Sequence, residues 1–385
     1  MAVEIVTGIT EKVFVKSQTF GTFVAMVATD ATSPVKGSFK LEPFENFEKT
    51  KQARGTASLL DETELDRGGK WSGSFYVRPN TAGTPPDCGE LIKAAMGVET
   101  GSVYTLSDTI CNALQFMHVI DGHWAQFASG AWVEQMVINI TGNGIPTIDF
   151  SGGFSRFGWV YRDDIKTNEA TSQTSIQIDD ASRGCVREPA MCEFEGNDNS
   201  AAGYIITASD NTASSANFTI TPGIATAQVD AGKEILPFVL AQTLGGTILS
   251  ATECALTIGA LEPGFIDAKV TVDTGIGPRD KDATSQYPTA IARVAERSIE
   301  TDMSFYFTDT AAGLSPFVGY AHDGSTHDID LRVGADTASK RMKLSIPKGR
   351  LDITQPDTGE IITVSGKVIA QQSAAAGDEF AITFD

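Results

Sequence analysis

Positive charge is scarce in this chain: 29 lysines and arginines stand against 49 aspartates and glutamates, a net charge of −20. That balance excludes bulk attraction to phosphate as a binding principle. Cysteine is scarcer. Five in 385 residues cannot staple a disulfide-built fold, and only Cys185 and Cys192 lie close enough in sequence to pair or to share a metal. No second cysteine or histidine pair has zinc spacing, so reduced structural thiols are expected. No apolar run is long enough to span a bilayer, and no basic-then-apolar leader opens the chain. Folding in a cytoplasm is therefore expected.

Catalytic signatures are missing as well. The chain has no Walker A sequence, no GxGxxG after a strand, no HExxH and no GxSxG. His118 and His123 flank an Asp121-Gly122 turn and would face each other across a hairpin, as metal ligands or as solvated side chains. His322 and His327 lie in a DGSTHD loop. Asp179-Asp180 and Asp198 with Asp210 suggest calcium only by composition, without an EF-hand or nonapeptide repeat. The aromatic residues interleave with apolar strand positions and read as core, not as a base-stacking platform. The expectation is a structural protein, not an enzyme, with no cofactor and no metal.

What is present is β pattern. An apolar fraction of 41% suits two or three cored domains. Val133 to Ile140 alternates, Thr141-Gly142-Asn143-Gly144 makes a turn, and residues 147–154 alternate again. Thr147, Asp149 and Ser151 then share a polar face, opposite Ile148, Phe150 and Phe154. Residues 1–18 read as an arm or a first strand, and further strands are expected in 19–29, 37–49 and 70–78, the last with Trp71, Phe75 and Val77 on one face. Residues 49–69 read as a long charged loop or loose hairpin. One helix should follow Pro85-Pro86-Asp87, with Leu91, Ile92, Ala95 and Met96 as its stripe and Gly97 as its C-cap.

The second half echoes the first. Leu41-Glu42-Pro43 recurs as Leu261-Glu262-Pro263, Ser74-Phe75-Tyr76 as Ser304-Phe305-Tyr306, and Met136 to Thr141 as Met342 to Pro347. Residues 147–154 recur as 361–368 with the Ser-Gly pairs in register, which sets Asp149 against Thr363. Phe20-Gly21-Thr22 has a looser counterpart in Gly245-Gly246-Thr247. Landmarks in one order, with loops of varying length between them, predict a duplicated domain. Residues 275–293 match the first charged loop in position, and a weaker second helix is expected over 309–320. Residues 176–238, short strands separated by Asp, Asn, Ser and Gly, have no copy and read as an insertion after a polar linker at 163–175. The expected fold is mainly β: two tandem β-sandwich or barrel domains, each with a flanking short helix, at 1–170 and 242–385, with a small β domain at 171–241 between them.

This order of parts resembles the tail tube (major tail) proteins of long-tailed bacteriophages. The resemblance rests on Leu41-Glu42-Pro43, the loop 49–69, the strand ending SFYV, the helix ELIKAAMG, the Asp121-Gly122 hairpin and the AWVEQMVINI…IDFSGG hairpin. It covers nearly everything except 176–238. It implies stacked trimeric, pseudo-hexameric rings that form a channel for DNA ejection in the virion tail, assembled in the host cytoplasm. The implied partners are further copies of the chain, the tail terminator, tape measure and distal tail proteins, and double-stranded DNA in transit without specific binding; no membrane is involved. A surface-adhesion or carbohydrate-binding β-repeat protein is the alternative. It would carry a secretion signal and exposed aromatic rows.

On this reading the polar strand faces line the lumen: Ser72, Ser74, Asp149, Asp267, Lys269, Asp273, Glu300, Asp302 and Thr363. Duplex DNA carries one charge per about 1.7 Å, so a basic wall would hold it and an acidic, hydrophilic one would let it pass. The two charged loops, with Arg54, Asp61, Glu62, Asp66 and Arg67 in one and Arg279, Asp280, Lys281 and Asp282 in the other, are expected to join successive rings. The insertion is expected to fold separately and sit outside the tube.

Overall fold

The computed structural model describes residues 10–49, 62–81, 83–178, 184–196, 203–210, 216–225, 228–279, 287–306, 324–337, 340–353, 357–358, 362–373 and 377–385. The protein is mainly β. Its frame is two successive runs of seven strands. The first comprises β1 (Glu11–Gln18), β2 (Lys40–Lys49), β3 (Glu62–Tyr76), β4 (Ala113–Ile120), β5 (Trp124–Thr141), β6 (Thr147–Phe154) and β7 (Arg156–Tyr161). The second comprises β8 (Cys254–Ile258), β9 (Gly264–Asp273), β10 (Ser298–Tyr306), β11 (Thr326–Gly334), β12 (Arg341–Ile353), β13 (Ile362–Ala370) and β14 (Ala381–Phe384).

Each run folds the same way. An outer sheet runs β1-β4-β5-β7 in the first half and β8-β11-β12-β14 in the second. An inner set runs β2-β3-β6-β5 and β9-β10-β13-β12. The long strands β5 and β12 each serve both layers, bending between them. The inner sets are then joined edge to edge, because β5 also pairs with β9 over Thr141–Asp267 to Gln135–Asp273. One antiparallel sheet, β2-β3-β6-β5-β9-β10-β13-β12, therefore runs through both halves.

Bulges fix the residue-by-residue match. The β4–β5 ladder skips from Leu114–Ala131 to Phe116–Ala128. The β11–β12 ladder skips in the same way from His327–Gly349 to Ile329–Ile346. Ala131 thus corresponds to Gly349. Following the ladders inward, Trp71 corresponds to Thr301 and Ser74-Phe75-Tyr76 to Ser304-Phe305-Tyr306.

That echo is in register; the others are not. Leu41 corresponds to Val270, and Leu261-Glu262-Pro263 lies in the turn before β9. Met136 corresponds to Ile353, while Met342 sits in the outer sheet opposite Phe384. Thr147 corresponds to Thr363, so Asp149 matches Ser365 and Ser151 matches Lys367. This last slip is by two residues and keeps the face, because side chains alternate with period two. The reason for the divergence is local. A Cβ on Gly152 would lie 2.0 Å from the Trp132 carbonyl oxygen, and one on Gly153 2.2 Å from the Trp132 ring. The second half has Arg350 at the place of Trp132, and Val368 and Ile369 fit where the first half needs glycine.

Other expectations shift too. The first strand, Glu11–Gln18, lies within the stretch that read as an arm or a first strand, whereas 19–29, expected as strand, holds only the start of a short 3-10 turn at Ala28–Asp30. Of the two readings of 49–69, long loop or loose hairpin, the described residues fit the hairpin: 62–69 continue β3 as strand paired to β2 out to Lys49–Glu62. The helix α1 (Gly89–Met96) has the expected stripe buried and ends on Gly97 at φ 108°. The expected second helix falls outside the described residues.

Between β7 and β8 the chain forms a six-stranded sheet from segments between Asp163 and Pro237. The stretch expected as a linker is built into it: Asp163–Asp164 pairs with the strand Glu234–Pro237, and Ile165 is buried. The insertion does not have a core of its own. Its Ile176, Met191, Phe194, Tyr204 and Phe218 form one cluster with Phe14, Met117, Val119, Ala125, Phe127 and Val160 of the first outer sheet. Cys185 and Cys192 are free and buried. Burial, with Asp163 nearby, pushes the Cys185 thiol up to about 12.

Candidate functional site

The long inner sheet has two unlike faces. Trp71, Phe75, Ile148, Phe150, Met136, Ile138, Val270, Val272, Met303, Phe305, Val364 and Val368 are buried on one, packed toward the outer sheets and α1. The opposite face is mainly polar across all eight strands, with Val137, Ile369 and Phe44 among its apolar members. One row crosses it as Lys40, Ser72, Ser151, Gln135, Asp273 and Ser298. The next carries Ser74, Asp149, Val137, Thr271, Glu300, Ile369 and Arg350, and the third Tyr76, Thr147, Asn139, Lys269, Asp302, Lys367 and Asp352. A fourth holds Thr141, Asp267, Ser304 and Ser365.

All nine residues singled out in the sequence for a lining role, from Ser72 to Thr363, lie on this face. Period-two alternation along each strand, continued through the β5–β9 junction, brings them together. The sheet curls as an open half-barrel. A hollow of about 600 Å³ opens on the polar side, lined by Ser72, Ser74, Gln135, Asn139, Asp149 and Lys269 among others, so this face is the concave one.

Its side chains satisfy one another across strands. Asn139 Nδ2 donates to Asp149 Oδ2 at 2.7 Å. Gln135 Nε2 donates to Asp273 Oδ1 at 2.7 Å, linking the two halves. Lys367 Nζ lies 2.7 Å from Glu300 Oε2, and that carboxylate holds the ammonium protonated above its ordinary range. The wall is hydrophilic but not simply acidic. Glu42, Asp149, Asp267, Asp273, Glu300, Asp302 and Asp352 are interspersed with Lys40, Lys70, Lys269, Lys367 and Arg350, so the face is mixed in charge with acids in excess. Sequence reading missed Arg350 and Asp352 because it placed the second-half hairpin at the wrong register.

The residues expected to join rings are less gathered. Arg54, Asp61, Asp280, Lys281 and Asp282 fall outside the described residues. Glu62, Asp66 and Arg67 lie in β3, opposite Lys49, Asn46 and Glu45. Arg279 is exposed at the end of a small hairpin, Ile276–Pro278 with Ile291–Arg293. The two arms differ: β2 and β3 run straight on, whereas the second arm turns off at Thr274 and Gly275 onto the first half. Thr274 Oγ1 donates to the Val133 carbonyl at 2.7 Å, and Arg293 Nη2 to the Ser107 carbonyl at 2.7 Å.

Across the hairpin His118 stands opposite Gln126 rather than His123. His118 is buried, with Nε2 3.0 Å from Glu11 Oε1. Burial raises the Glu11 carboxyl, but His118 and the Gly37 N–H more than offset this and leave it below its ordinary range. His327 instead meets Ser325 Oγ at 2.6 Å. Among the described residues no three His, Cys, Asp or Glu side chains are grouped as metal ligands, and no helix is long and apolar enough to cross a membrane. No family model matches the chain, and no curated protein matches it in sequence.

Proposed function

We propose that this protein is a structural subunit of a phage-type tail tube, in which three copies close a ring and rings stack around a channel for DNA. The observation that carries the reading is the inner sheet: two equivalent four-strand sets, side by side, with one continuous polar, concave face. A duplicated set supplies two of the six sectors of a pseudo-hexameric ring from each chain.

Barrel geometry favours three chains. Twenty-four strands about 4.8 Å apart and tilted about 40° give a backbone diameter of about 48 Å. With side chains of about 5 Å on each wall the bore is about 38 Å, ample for a duplex of about 20 Å with its water. Sixteen strands leave about 22 Å, with no room for hydration. A mixed lining suits transit, since acids interspersed among the lysines and arginines leave phosphates no continuous basic track to hold. Adhesion or carbohydrate binding would favour an exposed row of aromatics; among the described residues of the concave face Phe44, Tyr76 and Tyr306 are aromatic, and they lie apart on different strands and different rows.

Negative-stain microscopy of the purified chain tests the proposal. Threefold rings or stacked tubes with a bore near that of the 24-strand estimate are expected. Stable monomers at all concentrations would overturn it.

A further inference from the structure

The inner sheet ends in two edges, and the chain already contains a worked example of how they meet. Among the described residues β2 pairs only with β3, and β12 beyond Arg350 pairs only with β13. The counterpart of β2 is β9 and that of β12 is β5, and those two strands pair inside the chain. The outer edge of β12 is thus the repeat of the edge that receives β9, and the outer edge of β2 repeats the edge that β9 presents.

We infer that β2 of one copy pairs antiparallel with β12 of a second copy in the register copied from the β5–β9 junction, which sets Pro43 opposite Ile353 and Phe44 opposite Asp352. The register follows from the ladders. Lys269 and Lys40 are counterparts through their partners Asp302 and Ser72, so Val272 maps to Pro43 and Asp273 to Phe44. Met136 maps to Ile353 and Gln135 to Asp352 through Phe150 and Ser151 against Gly366 and Lys367. The internal pairs Val272–Met136 and Asp273–Gln135 then translate directly.

The parity of the seam is also fixed. Gly142 N donates to Ile266 O and Thr274 N to Glu134 O, bracketing the internal ladder. Even-numbered residues of β9 therefore exchange hydrogen bonds with β5, and odd-numbered ones form the close non-hydrogen-bonded pairs. Asp273–Gln135 is a close pair, as its 2.7 Å side-chain bond agrees. Phe44–Asp352 inherits that geometry, with Cα atoms about 4.5 Å apart, inside the range a disulfide spans. Pro43 inherits a hydrogen-bonded position but has no N–H. The seam between copies is one bond poorer than the seam within a chain, and the proline blocks indiscriminate strand addition at this edge.

This rests on the ring-forming reading but is tested apart from it. The double variant Phe44→Cys with Asp352→Cys is oxidised and run on a non-reducing gel, beside each single variant. Gln135→Cys with Asp273→Cys serves as the intrachain control. The control should link within one chain. The first pair should link chains to one another, with the ladder closing at three, while the single variants stay unlinked. Phe44→Cys with Arg350→Cys, two residues off register, should link at least tenfold less. Absence of interchain links where the control links fully, or equal linking in the shifted pair, overturns the register whether or not rings are seen. Links that form in register without closed rings or tubes would keep the seam and sink the tube.

Discussion

The two outer sheets share their strand order and their bulge, yet their outward faces are opposites. In the first, Phe14, Met117, Val119, Ala125, Phe127 and Val160 are all buried. At the matching positions the second has Thr257, Asp330, Arg332, Lys343, Ser345 and Thr383. The inward faces do not differ in kind: Val13, Val15 and Phe116 on one side and Leu256, Ile258 and Ile329 on the other all enter the same core. The difference is what lies outside. The insertion covers the first sheet, so the face is apolar; the second meets water, so Lys343 pairs with Asp330 at 3.3 Å and Arg341 with Asp385 and Asp336. One topology tolerates either character, and the covering layer decides which is stable.

The largest effect should come from uncovering the first face. The sequence alone suggested an insertion that folds separately; the cluster it shares with the first outer sheet overturns that. Replacing 166–232 with a Gly-Ser linker exposes six side chains. At about 1.5–3 kcal/mol for each large one, the loss is of order 10 kcal/mol, as large as the stability of a typical domain. Insoluble protein is expected. Giving the shortened chain the second sheet's residues (Phe14→Thr, Met117→Asp, Val119→Arg, Ala125→Lys, Phe127→Ser, Val160→Thr) should return it to the soluble fraction with its β signal by circular dichroism. Soluble, cooperatively melting protein from the unsubstituted deletion would break the comparison.

Single exchanges sharpen it. Met117→Asp in the full chain places a carboxylate under the insertion with no partner, and should cost about 3–5 kcal/mol, seen as a lower midpoint in urea. The reverse change at the counterpart, Asp330→Met, should move the midpoint by about 0.5 kcal/mol or less. Similar losses at both sites would mean that the second face is also covered.

How much of this was legible in the sequence depends on what each layer demands. The inner strands alternate because one side is core and the other is open, so the nine residues of the polar face could be picked by period alone. The helix was legible from its stripe and from Gly97. The register of the duplication was not. Short motifs such as Leu-Glu-Pro and Met-x-x-x-Ile recur wherever a half-buried strand needs them, and only the ladders show that Met136 answers Ile353 rather than Met342. The first outer sheet was illegible for a different reason. A strand buried on both sides loses its alternation, as Ala113–Ile120 does, and what buries it comes from residues some fifty to one hundred positions later.

The first half also carries a buried carboxylate beside its helix. Asp87 opens the first half's helix with both carboxylate oxygens lacking a hydrogen-bond partner and Arg78 Nε 3.8 Å away. Burial raises its carboxyl to about 6, against the ordinary 3.8. The folded chain therefore holds this proton between about pH 4 and pH 6, where the unfolded chain has released it. Stability falls as pH rises through that window, and the charged form weakens the fold above it, by about 1–3 kcal/mol. Asp87→Asn should raise the melting temperature at pH 7 and flatten its change between pH 4 and pH 7. An unchanged slope would show that Asp87 ionises freely.

The smallest effect should appear at Lys343. It is about half exposed, its ion pair with Asp330 is solvated, and exposed pairs contribute about 0–1 kcal/mol. Lys343→Ala should therefore leave the urea midpoint within about 0.5 kcal/mol of the parent, and salt should not widen the gap. The same two residue types are exchanged in the opposite sense by Ala125→Lys, at the matching position of the first sheet, where the alanine is fully buried beneath the insertion. There a lysine must displace packed side chains and bury an ammonium, and a loss of about 3–5 kcal/mol follows. The pair of variants holds strand position and topology constant and changes the layer above together with the neighbours suited to it, Val119 and Val160 in one sheet and Arg332 and Thr383 in the other. If Lys343→Ala proved as costly as Ala125→Lys, the lysine would be holding a contact that the solvated face does not require, and the covered-versus-open distinction between the two sheets would fall.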